Sequence, residues 1–128
     1  MATVKATIDW TVSTDNSVVV LTWSGLAASG DIGDTQSFPA YSDKTFIVTG
    51  SFTGSPTVAI EGSNDGTNWV TLSNRQGTAM TFTAAGMNTS QDRPVYVRPR
   101  LTAGSGGATI AVSVACHRVD LPGNGGGG

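Results

Sequence analysis

The sequence predicts an all-β protein, an antiparallel β-sandwich of about eight strands of the jelly-roll type. Apolar residues recur at every second position in several segments, which is the period of a half-buried strand. The chain has 18 Thr and 13 Val but a single glutamate, so it is rich in β-branched residues and poor in helix formers. Clusters of Gly, Asn, Asp and Ser separate the segments at roughly 8–12 residue intervals, as in sandwiches and small barrels.

Each strand is placed by its alternation and by the turn residues that bound it. The unbroken apolar run Val18–Leu21 indicates a strand buried on both faces. Gly25–Thr35, with three Gly and two Asp, is predicted as a long loop, and Gln36–Tyr41, with its proline, as an edge strand or an irregular crossing. The predicted strands are Thr3–Trp10, Ser17–Ser24, Lys44–Phe52, Pro56–Ser63, Thr67–Ser73, Thr78–Ala84, Pro94–Thr102 and Ala108–Cys116.

The length of 128 residues fits one domain, which we place at residues 1–122. Residues 123–128 are five glycines and an asparagine, and we expect a flexible glycine-rich tail. The sequence shows no apolar run long enough to span a membrane and no signal-peptide pattern. With a single cysteine, Cys116, an internal disulfide is excluded, and we expect synthesis in a reducing cytoplasm.

The composition argues against an enzyme, a metal site, a cofactor and a nucleic-acid partner. One His, one Cys and one Glu leave few side chains for acid–base or metal chemistry, and the net charge of −2 is wrong for a nucleic-acid binder. Asp31 and Asp34 are interpreted as members of a polar loop in preference to a calcium site. Cys116 is expected to be buried, with His117 on the opposite face at the rim.

Two alternating runs flank Asn64-Asp65-Gly66, a sequence that suits a tight hairpin turn. The favoured interpretation is a β-hairpin in which Trp69 fills a core or edge groove. The alternative is a ligand loop, because an aromatic face beside amide and carboxylate groups can bind a sugar. The candidate ligand residues are Asn64, Asp65, Asn68 and Trp69.

In the segment Val95–Leu101, alternation places Tyr96, Arg98 and Arg100 on one face. Arginine forms bidentate pairs with carboxylates and is enriched at interfaces. The stripe is either a solvated face with local acidic partners or a contact surface for an acidic partner protein. On the second interpretation, Tyr96, Arg98 and Arg100 are the candidate capsid-contact residues discussed below.

The stretch Ile60–Leu72, followed by Arg93–Thr102, resembles virion proteins of tailed bacteriophages. It looks most like the small jelly-roll cement or decoration proteins of short-tailed phage heads, over roughly residues 44–116. The resemblance implies a non-enzymatic structural role and transfers no individual site residue. A hairpin with Asp-Gly and a following Trp also occurs in galactose-binding sandwiches, so a carbohydrate-binding module of a phage appendage is the alternative.

The resulting hypothesis is a capsid cement protein on the outer surface of a virion, whose partner is the major capsid protein. Because few charges guard its sheet edges, we also expect self-association, as a homodimer or alternatively a trimer. A homo-oligomer that touches several capsid subunits would gain affinity through effective concentration.

Overall fold

A computed structural model describes residues 2–118, and every regular element among them is a β-strand. The twelve strands fall into two sheets. Their bounds are β1 Thr3–Val4, β2 Ala6–Asp9, β3 Val18–Leu26, β4 Ile32–Gly33, β5 Gln36–Ser37, β6 Asp43–Ser51, β7 Thr57–Ser63, β8 Val70–Thr71, β9 Thr81–Phe82, β10 Gly86–Thr89, β11 Tyr96–Ala103 and β12 Thr109–His117.

The strand order confirms the predicted β-sandwich and its jelly-roll type. One sheet has the order β10-β6-β12-β3-β2, and the other β1-β4-β11-β7-β8, with β5 beside β11 and β9 beside β7. The antiparallel pairs are nested: β3 with β12, β4 and β5 with β11, β6 with β10, and β7 with β8 and β9. Because successive pairs alternate between the sheets, the chain wraps as one long double ribbon, which is the jelly-roll arrangement.

The core lies between the two sheets, and the alternation of each long strand fills it. Along β12, Ile110, Val112, Val114 and Cys116 are fully buried, while the residues between them face outward. Strand β3 supplies Trp23, whose indole Nε1–H donates to the carboxylate of Asp34 at 2.9 Å. The other large buried side chains are Val19, Leu21, Leu26, Phe46, Val48, Val58, Ile60, Met80, Val97 and Leu101.

The structure corrects four details of the sequence prediction. The expected strand Thr3–Trp10 divides at Lys5, because β1 pairs with β4 in one sheet and β2 with β3 in the other. The β1–β4 pair is parallel, in an otherwise antiparallel sandwich. The predicted loop Gly25–Thr35 contains β4, and β10 lies between the predicted strands Thr78–Ala84 and Pro94–Thr102, where no strand was expected. Neither β4 nor β10 has an alternating apolar signal.

The fourth correction concerns the run Val18–Leu21, which the chain buries on one face only. Val19 and Leu21 have no exposed surface, whereas Val18 and Val20 are partly exposed on the outer side. The predicted tail, residues 123–128, lies outside the described residues. Within residues 2–118 no helix is long and apolar enough to cross a bilayer.

Candidate functional site

The predicted arginine stripe lies on the outer side of the sheet that contains β11. Val97, Pro99 and Leu101 are buried, so Tyr96, Arg98 and Arg100 project away from the core, as the alternation predicts. The stripe and the neighbouring strand β7 are in register, with Arg98 opposite Glu61 and Arg100 opposite Ala59.

Glu61, the chain's only glutamate, is shared by both arginines. Arg98 Nε donates to Glu61 Oε1 at 3.0 Å, and Arg100 Nη1 donates to Glu61 Oε2 at 3.5 Å. The side chains of Glu61 and Arg98 are only 7% and 17% exposed, while that of Arg100 is 47% exposed. Two guanidinium groups share one carboxylate, so the cluster retains a positive charge, and Arg100 is its accessible end.

Trp69 covers the other side of Arg98. The guanidinium carbon of Arg98 lies 3.9 Å from the centre of the Trp69 ring, a cation–π contact. Arg98 is thus held between the indole and Glu61, and it acts as a positioning group for the carboxylate. Of the predicted capsid-contact residues, Arg100 and the half-buried Tyr96 are therefore the ones that a partner reaches most easily.

In the hairpin loop between β7 and β8, the polar groups form hydrogen bonds with one another. Asp65 accepts hydrogen bonds from the backbone N–H groups of Thr67 and Asn68, from the Asn68 amide and from the Ser63 hydroxyl. These donors, the Asn68 backbone N–H first, lower the pKa of Asp65 strongly. The carboxylate is therefore committed to holding the turn.

The remaining candidate ligand residues are also engaged within the chain. The side-chain oxygen of Asn64 accepts the backbone N–H of Val95 at 3.2 Å. Trp69 presents its ring to Arg98. The structure thus brings Asn64, Asp65, Asn68 and Trp69 into one loop, and it gives each of them an internal partner. This agrees with a hairpin, but the expected place of Trp69 in a core or edge groove is wrong, because its ring lies half-buried on the outer face against Arg98.

An open groove of about 490 Å³ runs between this loop and the segment 92–94. Its apolar walls include Val70, Leu72 and Pro94, and Arg93 stands at its rim. A second groove, of about 280 Å³, lies on the other side of Arg93 and contains the Arg75–Asp43 ion pair. The sequence analysis did not identify these grooves, because distant segments form them.

The other side chains singled out in the sequence have structural partners. Asp31 accepts the backbone N–H groups of Ala2, Ala27 and Ala28. Asp34 accepts the backbone N–H of Ala6 and the indole N–H of Trp23. Cys116 is fully buried and His117 is exposed, as expected. Burial raises the pKa of the Cys116 thiol to about 11, so the thiol is protonated at neutral pH. Residues 2–118 contain no group of three or more His, Cys, Asp or Glu side chains that could hold a metal ion.

Trp10 is the tryptophan whose environment differs most from the core. It is 42% exposed, and its ring packs in a tilted arrangement against Phe38 and edge-on against Tyr41, with ring centres 5.9 Å away in both cases. Ile8 and Val12 extend this apolar end, at 46% and 49% exposed.

No protein-family model and no curated protein matches the sequence. Among solved structures, the SPBc2 prophage-derived protein YomS is similar, with a TM-score of 0.53 and 13% identity over 77% of this chain and 94% of that one. A cupin protein from Bacteroides fragilis has a TM-score of 0.43 and 13% identity over 92% and 80% of the two chains. A CBM32 module from a family 31 glycoside hydrolase of Clostridium perfringens has a TM-score of 0.35 and 17% identity over 78% and 67%.

The likeness to YomS concerns the fold alone, because the sequence identity is too low to carry a function. The TM-scores of the other two structures are too low to support an argument even about fold. The chain is therefore a jelly-roll β-sandwich that is similar in fold to a prophage-derived protein.

Proposed function

We propose that this protein is a non-enzymatic virion structural protein, a cement protein that binds the outer surface of a phage head and stabilises its lattice. The observation that carries the proposal is the cationic cluster on the outer face of β7 and β11. Glu61 and Trp69 fix Arg98, and the cluster ends in the exposed guanidinium of Arg100. A rigid cation on a flat strand face suits an acidic surface repeated on every capsid subunit.

The mechanism would be binding to the assembled lattice. One exposed arginine supports only a modest contact, but several copies that engage neighbouring subunits add their contacts through effective concentration. Tyr96 lies on the same face and would supply apolar contact with a polar tip. The similarity in fold to a prophage-derived protein supports a phage setting for this proposal.

The test is co-sedimentation of the protein with phage heads that lack it, for wild type and Arg100→Ala. We expect the variant to bind at least several-fold more weakly and the difference to shrink at high salt, because screening weakens exposed charge contacts. Arg75→Ala is the matched control, since Arg75 is also exposed and paired with one carboxylate but lies away from the cluster. Equal binding by folded wild type and Arg100→Ala would reject this surface as the contact.

The double change of Arg98 and Arg100 to alanine, which the sequence alone suggests, is a poor test. It would leave the carboxylate of Glu61 nearly buried without a cation, and an uncompensated buried charge destabilises a fold strongly. Loss of binding by such a variant could therefore reflect unfolding. The single change at Arg100 leaves the Arg98–Glu61 pair intact.

The alternative function is carbohydrate binding, as in a phage appendage module. The groove beside the hairpin loop favours it, because apolar walls and the polar groups of Asn64 and Asn68 lie together there. The position of Trp69 weighs against it, since Arg98 occupies one face of the ring that a sugar would stack on. Binding on a glycan array, lost in Asn68→Ala while capsid co-sedimentation is absent, would favour this alternative.

A further inference from the structure

The outer side of the sheet β10-β6-β12-β3-β2 differs from the arginine-bearing face of the other sheet. Its strands place Thr7, Thr22, Ser113, Ile47 and Met87 in one row across the sheet, and Asp9, Val20, Ala115, Thr45 and Thr89 in the next. Among the described residues, the strand positions on this face include no Lys, Arg or Glu. Asp9, Asp43 and His117 lie toward the same end of their strands, where Arg75 pairs with Asp43. We call this surface the neutral face.

We propose that the neutral face is a self-association surface, on which a second copy of this chain packs sheet against sheet. Solvent-exposed sheet faces and edges in monomers are normally guarded by charged side chains, and this one is not. Val18 and Val20 also support the proposal, because both are apolar and both remain partly exposed on this face in the single chain. Ile47 and Met87 are 37% and 61% exposed in the same region.

The size of the face matches what a stable dimer needs. Five strands about 4.8 Å apart and about seven residues long, at roughly 3.3 Å each, give a face of roughly 24 by 23 Å. Complete coverage of two such faces would bury about 1,100 Å² in total. That is just above the roughly 1,000 Å² that a specific interface should clear.

The charges at the ends of the strands favour a second copy as the occupant. Asp9 ends the edge strand β2, and the exposed Lys5 immediately precedes it at the opposite end. A two-fold axis that crosses the strands brings the Asp9 end of one copy to the Lys5 end of the other. The same rotation keeps the two Asp9 side chains apart, so the Asp9 and Lys5 charges of the two edge strands are complementary.

The test is sedimentation equilibrium of the full chain between about 5 and 200 µM, a range that brackets micromolar dissociation constants. We expect a dimer, and we expect Ser113→Arg, at the centre of the face, to weaken dimerisation at least ten-fold. Met87→Arg, on an exposed edge position that tolerates substitution, is a second variant that should also weaken it. Thr102→Arg places the same new charge on the outer face of the other sheet and is the matched control.

Circular dichroism and thermal melting establish that each variant is folded. A monomer throughout the concentration range would overturn the proposal, as would a trimer, because a two-fold sheet contact makes pairs. A dimer that folded Ser113→Arg and Met87→Arg leave intact would show that the interface lies elsewhere. Equal dissociation by Thr102→Arg would also reject the neutral face, and none of these outcomes depends on capsid binding.

Discussion

Single buried polar residues hold the ends of this sandwich, and Asp31 is the clearest case. The residue is only 6% exposed, and its two carboxylate oxygens accept three backbone N–H groups, from Ala2, Ala27 and Ala28. The Ala27 N–H contributes most to a lowered pKa of Asp31, although burial opposes this. One carboxylate thereby ties β1 to the turn that precedes β4.

We expect Asp31→Asn to lower the free energy of unfolding at pH 7 by about 1–3 kcal/mol, because an amide has one acceptor oxygen for three donors. The folded pKa lies below the unfolded value of about 3.9, so the carboxylate's contribution is complete above about pH 5 and is lost as the pH falls toward the folded pKa. Wild type should therefore lose more stability than Asp31→Asn between pH 5 and pH 3, measured by chemical denaturation. Parallel curves would contradict this role, and Asp15→Asn, in an exposed turn, should cost much less at pH 7.

Lys44 is the second buried polar residue with a structural task. It is 4% exposed, and its Nζ donates to the carbonyl oxygens of Phe38 at 3.1 Å and Tyr41 at 2.8 Å. Burial lowers the pKa of this amine. The lysine thus fixes the segment whose aromatic rings pack against Trp10.

We expect Lys44→Met to lose about 1–3 kcal/mol of unfolding free energy, because two carbonyl groups lose their donor. Near-ultraviolet circular dichroism should weaken as the aromatic cluster loosens. Lys5→Met is the control, and as an exposed substitution it should stay within about 0.5 kcal/mol of wild type. A stable Lys44→Met with an unchanged aromatic spectrum would show that the segment 38–41 is held by packing alone.

At the scale of elements, close contact between a glycine backbone and core side chains fixes the position of the short strand β4. Gly33 in β4 packs beneath Trp23 and Pro99, and a Cβ there would lie 2.5 Å from Trp23 Cδ1 and 2.6 Å from Pro99 Cδ. Its backbone is not left-handed, so the requirement for glycine is steric. This contact keeps β4 beside the core although it has no apolar alternation.

Gly33→Ala should therefore destabilise the fold by about 1–3 kcal/mol through overpacking. Gly86→Ala in β10 is the matched control, since its added Cβ would meet Phe82 at an acceptable 3.4 Å. Thermal melting of both variants tests the prediction. Equal melting temperatures for the two would mean that β4 shifts freely to make room.

For the whole molecule, the nested pairing means that early strands need the last strand, β12, as their hydrogen-bonding partner. β12 is the centre of its sheet and pairs with both β3 and β6. It also supplies four fully buried core side chains. Early and late segments must therefore meet before either sheet is complete.

A chain that ends at residue 108 should fail to fold, because it lacks the central strand of one sheet. A chain that ends at residue 122 lacks only five glycines and an asparagine, and its melting temperature should stay within about a degree of the wild-type value. Far-ultraviolet circular dichroism and melting curves distinguish the two. A cooperative transition in the shorter chain, or a large loss in the longer one, would contradict this account.

Strands with long alternating segments were predictable from the sequence, and strands without them were not. β3, β6, β7, β11 and β12 have enough alternating residues to reveal both their period and their inward face, whereas β4 and β10 have no such alternation and were missed. The predicted strands Thr67–Ser73 and Thr78–Ala84 contain β8 and β9, which are only two residues long. The hairpin turn at Asn64-Asp65-Gly66 was equally readable, because local hydrogen bonds to Asp65 set it. The break at Lys5 was not, since pairing with two different strands causes it.

The sequence by itself determined the strand-rich composition, the inward face of each long strand and the outward direction of Arg98 and Arg100, because these depend on neighbours along the chain. Only the tertiary structure decided that Glu61 sits between those two arginines and that Trp69 covers one of them, because residues far apart in sequence make these contacts. Only the tertiary structure likewise decided which strands form the neutral face and which form the arginine-bearing face. The sheet to which a strand belongs is set by long-range pairing, which the period of the strand does not encode.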